Sequence, residues 1–113
     1  MTAPLPVIVA LDDMDESTAI ALARQLEGQV WGFKAHELIH RLGGAIIGRL
    51  RQYGHVFADM KLHDIPNTVA HMVEVLEQAG ASIINMHIAG GLEMMQRARQ
   101  ACRGEAKLLA FRC

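Results

Sequence analysis

Ala58-Asp59-Met60-Lys61-Leu62-His63-Asp64-Ile65-Pro66-Asn67-Thr68-Val69 is the stretch on which the reading of this 113-residue chain turns. It sets three charges, Asp59, Lys61 and Asp64, where the neighbouring residues specify a strand running into a helix. From His55 to Lys61, the residues Val56, Phe57, Ala58 and Met60 make a short apolar run. Gly54 bounds it on one side and Asp64 and Pro66 on the other, as expected of a strand. Side chains alternate along a strand, so Phe57, Asp59 and Lys61 are expected on one face and Val56, Ala58 and Met60 on the other. A carboxylate and an ammonium then stand side by side. At a strand end in solvent such a pair would contribute at most about 1 kcal/mol. The rest of the chain gives it more weight.

Downstream, Pro66 pushes Ile65 out of the helical region and itself suits a first helical turn, which predicts a helix from Pro66 to Gln78 that Gly80 ends. Ala81 to His87 reads as a strand with Ile83, Asn85 and His87 on one face. Ala89-Gly90-Gly91 leads into a helix from Leu92 to about Cys102, and Lys107 to Phe111 reads as a last strand. Upstream, Pro6 to Leu11 is an apolar, β-branched run, read as a strand buried on both faces with Asp12 at its tip. Asp15-Glu16-Ser17 opens a helix whose apolar side is Ile20, Leu22, Ala23 and Leu26, and Gly28 stops it. Gln29 to Lys34 is a strand ending in a charge. His36 to Tyr53 reads as helix, with Gly43-Gly44 as the place for a break.

Five strands separated by helices predict βαβ units, a parallel sheet and one domain over residues 1–113. The polar residues are the informative ones. Asp12, Lys34, Asp59 with Lys61, and Asn85 with His87 all fall at or near the C-terminal ends of successive strands, where (β/α)8 barrels build their sites. A doubly wound sheet also binds ligands there, but no Gly-rich phosphate turn follows the first strand. The expected fold is therefore α/β, of the (β/α)8 TIM-barrel family. A full barrel takes about 250 residues, so only about four and a half βα units, a half-barrel, are expected.

Composition removes other classes. A net charge of -1 and the lack of a Lys/Arg cluster argue against nucleic acid or an anionic membrane as partner. No apolar run is long enough for a membrane span or a secretion signal, which points to the cytoplasm. Cys102 and Cys113 are too few for a disulfide framework and are read as reduced thiols. His36-Glu37-Leu38-Ile39-His40 matches the H-E-x-x-H pattern of zinc hydrolases. Its position directly after a strand and the lack of a third ligand at a recognisable spacing favour plain helical histidines, so no metal is expected. Met94 and Met95 read as core filler, and the Gly90-Gly91 pair as a tight turn rather than a phosphate cradle. His87 faces a substrate or is structural, and the sequence does not choose.

Asp59-x-Lys61-x-x-Asp64-Ile65-Pro66-Asn67-Thr68 resembles the signature of the orotidine 5'-phosphate decarboxylase family. The resemblance extends to Val-Ala-Leu-Asp12, to Trp31-Gly-Phe-Lys34 and to Asn85-Met-His87-Ile-Ala-Gly-Gly91, four segments in the family's order. The Asp-Ile-Pro-x-Thr extension separates it from sugar phosphate decarboxylases and synthases of the same superfamily. The resemblance implies a cofactor-free decarboxylation of orotidine 5'-phosphate to uridine 5'-phosphate in pyrimidine nucleotide biosynthesis. Lys61 would stabilise and protonate the carbanion at C6. Asp59 would lie against the substrate carboxylate. Asp12 and Lys34 would bind the ribose hydroxyls, and alternation of Lys34, Asp59, Lys61 and Asp64 would keep the ammoniums charged. Asp64, Ile65 and Thr68 would reach into the site of a partner subunit, which implies a homodimer.

Two departures accompany the resemblance. His36 stands where many family members have Gly, at the rim near the ribose. The Ser/Thr-bearing loop over the pyrimidine and the Gln and Arg that grip the phosphate lie in the family's second half, after the fifth strand. Little turnover is therefore expected of the 113 residues alone, since remote phosphate binding supplies energy used at the reacting carbon. The rival expectation is a non-catalytic half-barrel remnant that oligomerises, or pairs with a separate C-terminal half, through open edges at the first and fifth strands.

Overall fold

The computed structural model describes residues 3–112. Cys113 lies outside them. The chain runs β1 (Leu5–Ala10), α1 (Glu16–Leu26), β2 (Val30–Ala35), α2 (Glu37–Leu42), α3 (Ala45–Arg51), β3 (His55–Leu62), α4 (Pro66–Ala79), β4 (Ile83–His87), α5 (Leu92–Ala101) and β5 (Lys107–Phe111). All four strand pairings are parallel, and the sheet order is β1-β2-β3-β4-β5. A doubly wound sheet reverses its strand order at a switch point; this sheet never does. It is a partial (β/α)8 barrel, as the alternation predicts.

Local chemistry accounts for the element ends. Asp15 caps α1, its Oδ1 accepting the Thr18 N–H at 2.8 Å, and Pro66 occupies the first turn of α4. Gly80 ends α4 at φ 113°, a conformation that costs glycine nothing. The predicted helix over His36 to Tyr53 is two helices, because Gly43 takes φ 76° between α2 and α3.

The core lies between the sheet and the helices. Phe33, Val56, Ala58, Ile84 and Met86 face the helices and are fully or almost fully buried, against Leu38, Ile46, Ile47, Leu50, Val73 and Met94. Burying such side chains is the main favourable contribution to folding. Met94 is core filler as expected, and Ala89-Gly90-Gly91 forms the tight turn, a 3-10 turn over Ile88–Gly90.

The expectation that the first strand is buried on both faces is wrong. Leu5, Val7 and Ile8 in β1 are exposed, and only Val9 packs on the core. β1 and β5 are the two edge strands of the sheet, and Leu109 in β5 is exposed as well. The apolar run meant for a closed barrel is half uncovered. Among the described residues, no helix is long and apolar enough to cross a membrane.

Candidate active site

At the C-terminal ends of β1, β2 and β3 the side chains of Asp12, Lys34, Asp59 and Lys61 form one chain of charge. Lys34 Nζ lies 3.6 Å from Asp12 Oδ2 and 3.8 Å from Asp59 Oδ2, and Lys61 Nζ donates to Asp59 Oδ2 at 2.7 Å. With Asp13, His36 and Glu37 they line a cleft of about 460 Å³. Signs alternate along the array, so each inner charge has opposite neighbours. The array is assembled by strand register: Ala10 pairs with Lys34 and Lys34 with Phe57, which brings three strand ends level.

Asp59 is the buried member, only 7% exposed. Burial opposes its ionisation. Hydrogen bonds from Lys61 and Asn85, with the charges of Lys61 and Lys34, outweigh that and hold its carboxyl below the ordinary carboxylate range. The pair is half exposed: the Asp59 carboxylate is buried, whereas 45% of the Lys61 side chain is open to solvent.

Lys61 departs from a regular strand. Its φ is 50°, and the β3–β4 pairing loses register between Ala58 and Leu62. The alternation that groups Asp59 with Lys61 is therefore interrupted at Lys61, yet its ammonium still reaches Asp59. Its backbone N–H finds no strand partner and donates to Asn85 Oδ1 at 2.9 Å, while Asn85 Nδ2 donates to Asp59 Oδ1 at 2.7 Å. Asn85, 5% exposed, belongs to the site although the sequence singled it out only as a polar strand-end residue. The available signal was an amide between Ile84 and Met86 in a buried strand.

The structure does not join Asp64, Ile65 and Thr68 to this array. Asp64 is exposed and its Oδ1 accepts the Ile65 N–H at 2.7 Å; Ile65 is 66% exposed, and Thr68 lies on the first turns of α4. Within the chain the array runs Asp12, Lys34, Asp59, Lys61, and Asp64 forms no ion pair with Lys34 or Lys61.

The H-E-x-x-H segment has other occupations. His36 Nδ1 donates to the Asp59 carbonyl at 2.7 Å, Glu37 pairs with Arg41 and its Oε1 accepts the Asp13 N–H, and His40 stands edge-on to His36. No group of three metal-ligating side chains exists among the described residues. His87 packs between His63 and Phe111, with ring centroids 5.2 and 4.4 Å away.

Sequential parallel strands with an ionic array at their C-terminal ends define a class, the barrel enzymes whose site sits at the strand-end rim. The family model described as orotidine 5'-phosphate decarboxylase / HUMPS family matches residues 5–111, and the chain belongs to that family. It is 44% identical over 98 residues to the orotidine 5'-phosphate decarboxylase of Dichelobacter nodosus, covering 85% of this chain and 43% of that protein. To the enzyme of the same name from Alcanivorax borkumensis it is 41% identical over 109 residues, covering 95% of this chain and 47% of that one. The crystal structure of orotidine 5'-phosphate decarboxylase from Pyrococcus horikoshii superposes with a TM-score of 0.81 at 27% identity, over 92% of this chain and 50% of that chain. The chain spans about half the length of the relatives it matches.

Proposed function

We propose that the chain carries the carbon-centred part of an orotidine 5'-phosphate decarboxylase site. It would act without a cofactor on orotidine 5'-phosphate in pyrimidine nucleotide synthesis. The observation that carries this reading is the Asp12–Lys34–Asp59–Lys61 array. Loss of carbon dioxide from C6 breaks the bond to the carboxylate and leaves its electron pair on the ring carbon. A fixed ammonium is what that charge requires, and Lys61 supplies it and then donates the proton. Asp59 meets the substrate carboxylate. That contact is repulsive before the bond breaks and relieved afterwards. Lys34 and Asp12, which follow Asp59 at the other end of the array from Lys61, take the ribose hydroxyls.

Asp64, Ile65 and Thr68 are assigned to the site of a second subunit in a homodimer, a role that suits the exposure of Asp64 and Ile65 and the lack of an ion pair between Asp64 and Lys34 or Lys61. The enzyme is assigned to the cytoplasm. The second reading, an oligomerising half-barrel without turnover, is favoured by the exposed apolar residues of β1 and β5.

The test is to add orotidine 5'-phosphate at millimolar concentration to the isotope-labelled chain and follow both resonances and product. Shifts at Lys34, Asp59 and Lys61, with weak turnover lost in Lys61→Ala, are expected. Shifts confined to other residues would reject the decarboxylase reading. A kcat/KM equal to that of a full-length family member would reject the dependence on remote phosphate binding.

A further inference from the structure

We propose that Asn85 is the positioning residue that makes Asp59 and Lys61 a working pair. Residues two apart on a regular strand share a face about 6.6 Å apart along it, a span that a lysine side chain crosses but that does not by itself fix one geometry. Here the pair meets at 2.7 Å where the strand breaks register and Lys61 takes φ 50°, which L-residues avoid. Something must hold that backbone. The lost register leaves the Lys61 N–H without a partner on β4, and Asn85 Oδ1 replaces the missing carbonyl at 2.9 Å. The other end of the same side chain, Nδ2, donates at 2.7 Å to the Asp59 oxygen that Lys61 does not use.

One amide therefore fixes both the rotamer of the carboxylate and the backbone of the lysine. Its orientation follows from its partners. Turned over, it would face its oxygen to a carboxylate and its NH2 to an N–H, both repulsive. The side chain is 5% exposed, so water is a poor substitute for either bond. Aspartate, the same size, can accept from Lys61 but can donate to Asp59 only when protonated. That difference separates a positioning role from simple filling of space.

Treating Asp59 and Lys61 as the reacting pair rests on the function proposed above; the clamp can be measured without turnover. Lys61 amide exchange and the Asp59 carboxyl titration are read by NMR in the wild type, Asn85→Ala and Asn85→Asp. In Asn85→Ala, the Lys61 amide is expected to exchange at least about fivefold faster and Asp59 to titrate at higher pH, with the Val56 and Ala58 amides unchanged. In Asn85→Asp, protection of Lys61 is expected to be low at pH 8. It should return on acidification toward about pH 5, where two adjacent carboxyls share a proton. Wild-type behaviour in Asn85→Ala would overturn the proposal, as would protection in Asn85→Asp that shows no recovery in acid after correction for intrinsic exchange. Should Asn85→Ala not fold, the acid recovery of Asn85→Asp decides. If the clamp behaves as expected while orotidine 5'-phosphate leaves Lys34, Asp59 and Lys61 unperturbed, the substrate reading fails and the positioning role stands.

Discussion

Asp59 is drawn in two directions, toward neutrality by burial and toward ionisation by Lys61, Asn85 and Lys34, and the second prevails. Its folded pKa lies below its unfolded value, so the stability it contributes is fully present above the unfolded carboxyl value near 3.9. That contribution is lost as the pH falls through the folded value. The stability gap between wild type and Asp59→Asn, from urea unfolding, should be widest at neutral pH and close in acid; a gap independent of pH would refute the charge-pairing account. Cys102 shows the opposite shift. Burial, then the hydrogen bond to and charge of Glu77, push its thiol up to about 11, so thiolate is scarce at pH 8. In a Cys113→Ser background Cys102 should react with a disulfide reagent at pH 8 at least about tenfold more slowly than free cysteine, and Glu77→Gln should speed it. At this scale the sequence revealed the charges but not their connections. Asp59 and Lys61 stand out in an apolar run, whereas Asn85 lies 26 positions from Asp59 and only the β3–β4 register joins them.

The spacing of the elements was legible because hydrophobic periodicity and glycine stops are local signals. Contacts between elements were not. Glu77, near the end of α4, accepts N–H groups from Arg103, Gly104 and Ala106 and the Cys102 thiol, and so ties the connection before β5 to a helix three elements before that strand. Backbone donors leave no mark on composition. Burial again opposes ionisation of Glu77 and those bonds overcome it, leaving its carboxyl below the usual range. Gly32 is a second such case. A Cβ there would sit 2.2 Å from the His55 carbonyl oxygen, so β2 and β3 approach as closely as they do only because position 32 lacks a side chain. Gly32→Ala should destabilise the chain by about 2 kcal/mol, measured by urea unfolding; a change under about 0.5 kcal/mol would mean that the strands separate without cost.

For the whole molecule, the order of the elements implied a barrel and the sheet is sequential and parallel, yet burial of β1 was misjudged. A single strand's apolar run records what the strand is suited to touch, not whether that neighbour is present. Leu5, Val7 and Ile8 at one edge and Leu109 at the other remain uncovered, and exposed edge strands pair readily. Light scattering across a hundredfold concentration range should therefore show self-association, and Ile8→Lys should weaken it without disturbing the Lys61 resonances. A chain that stays monomeric at the highest concentration would contradict this.

The strictly sequential pairing of the sheet also has a temporal side. Each strand docks on the one made just before it, so no part of the sheet waits for a distant later segment. The residues of the ionic array and its amide clamp lie between positions 12 and 85. On a ribosome making protein from its N-terminus, β4 delivers the last of those groups. None of those groups comes from β5, so the charge network can close without it.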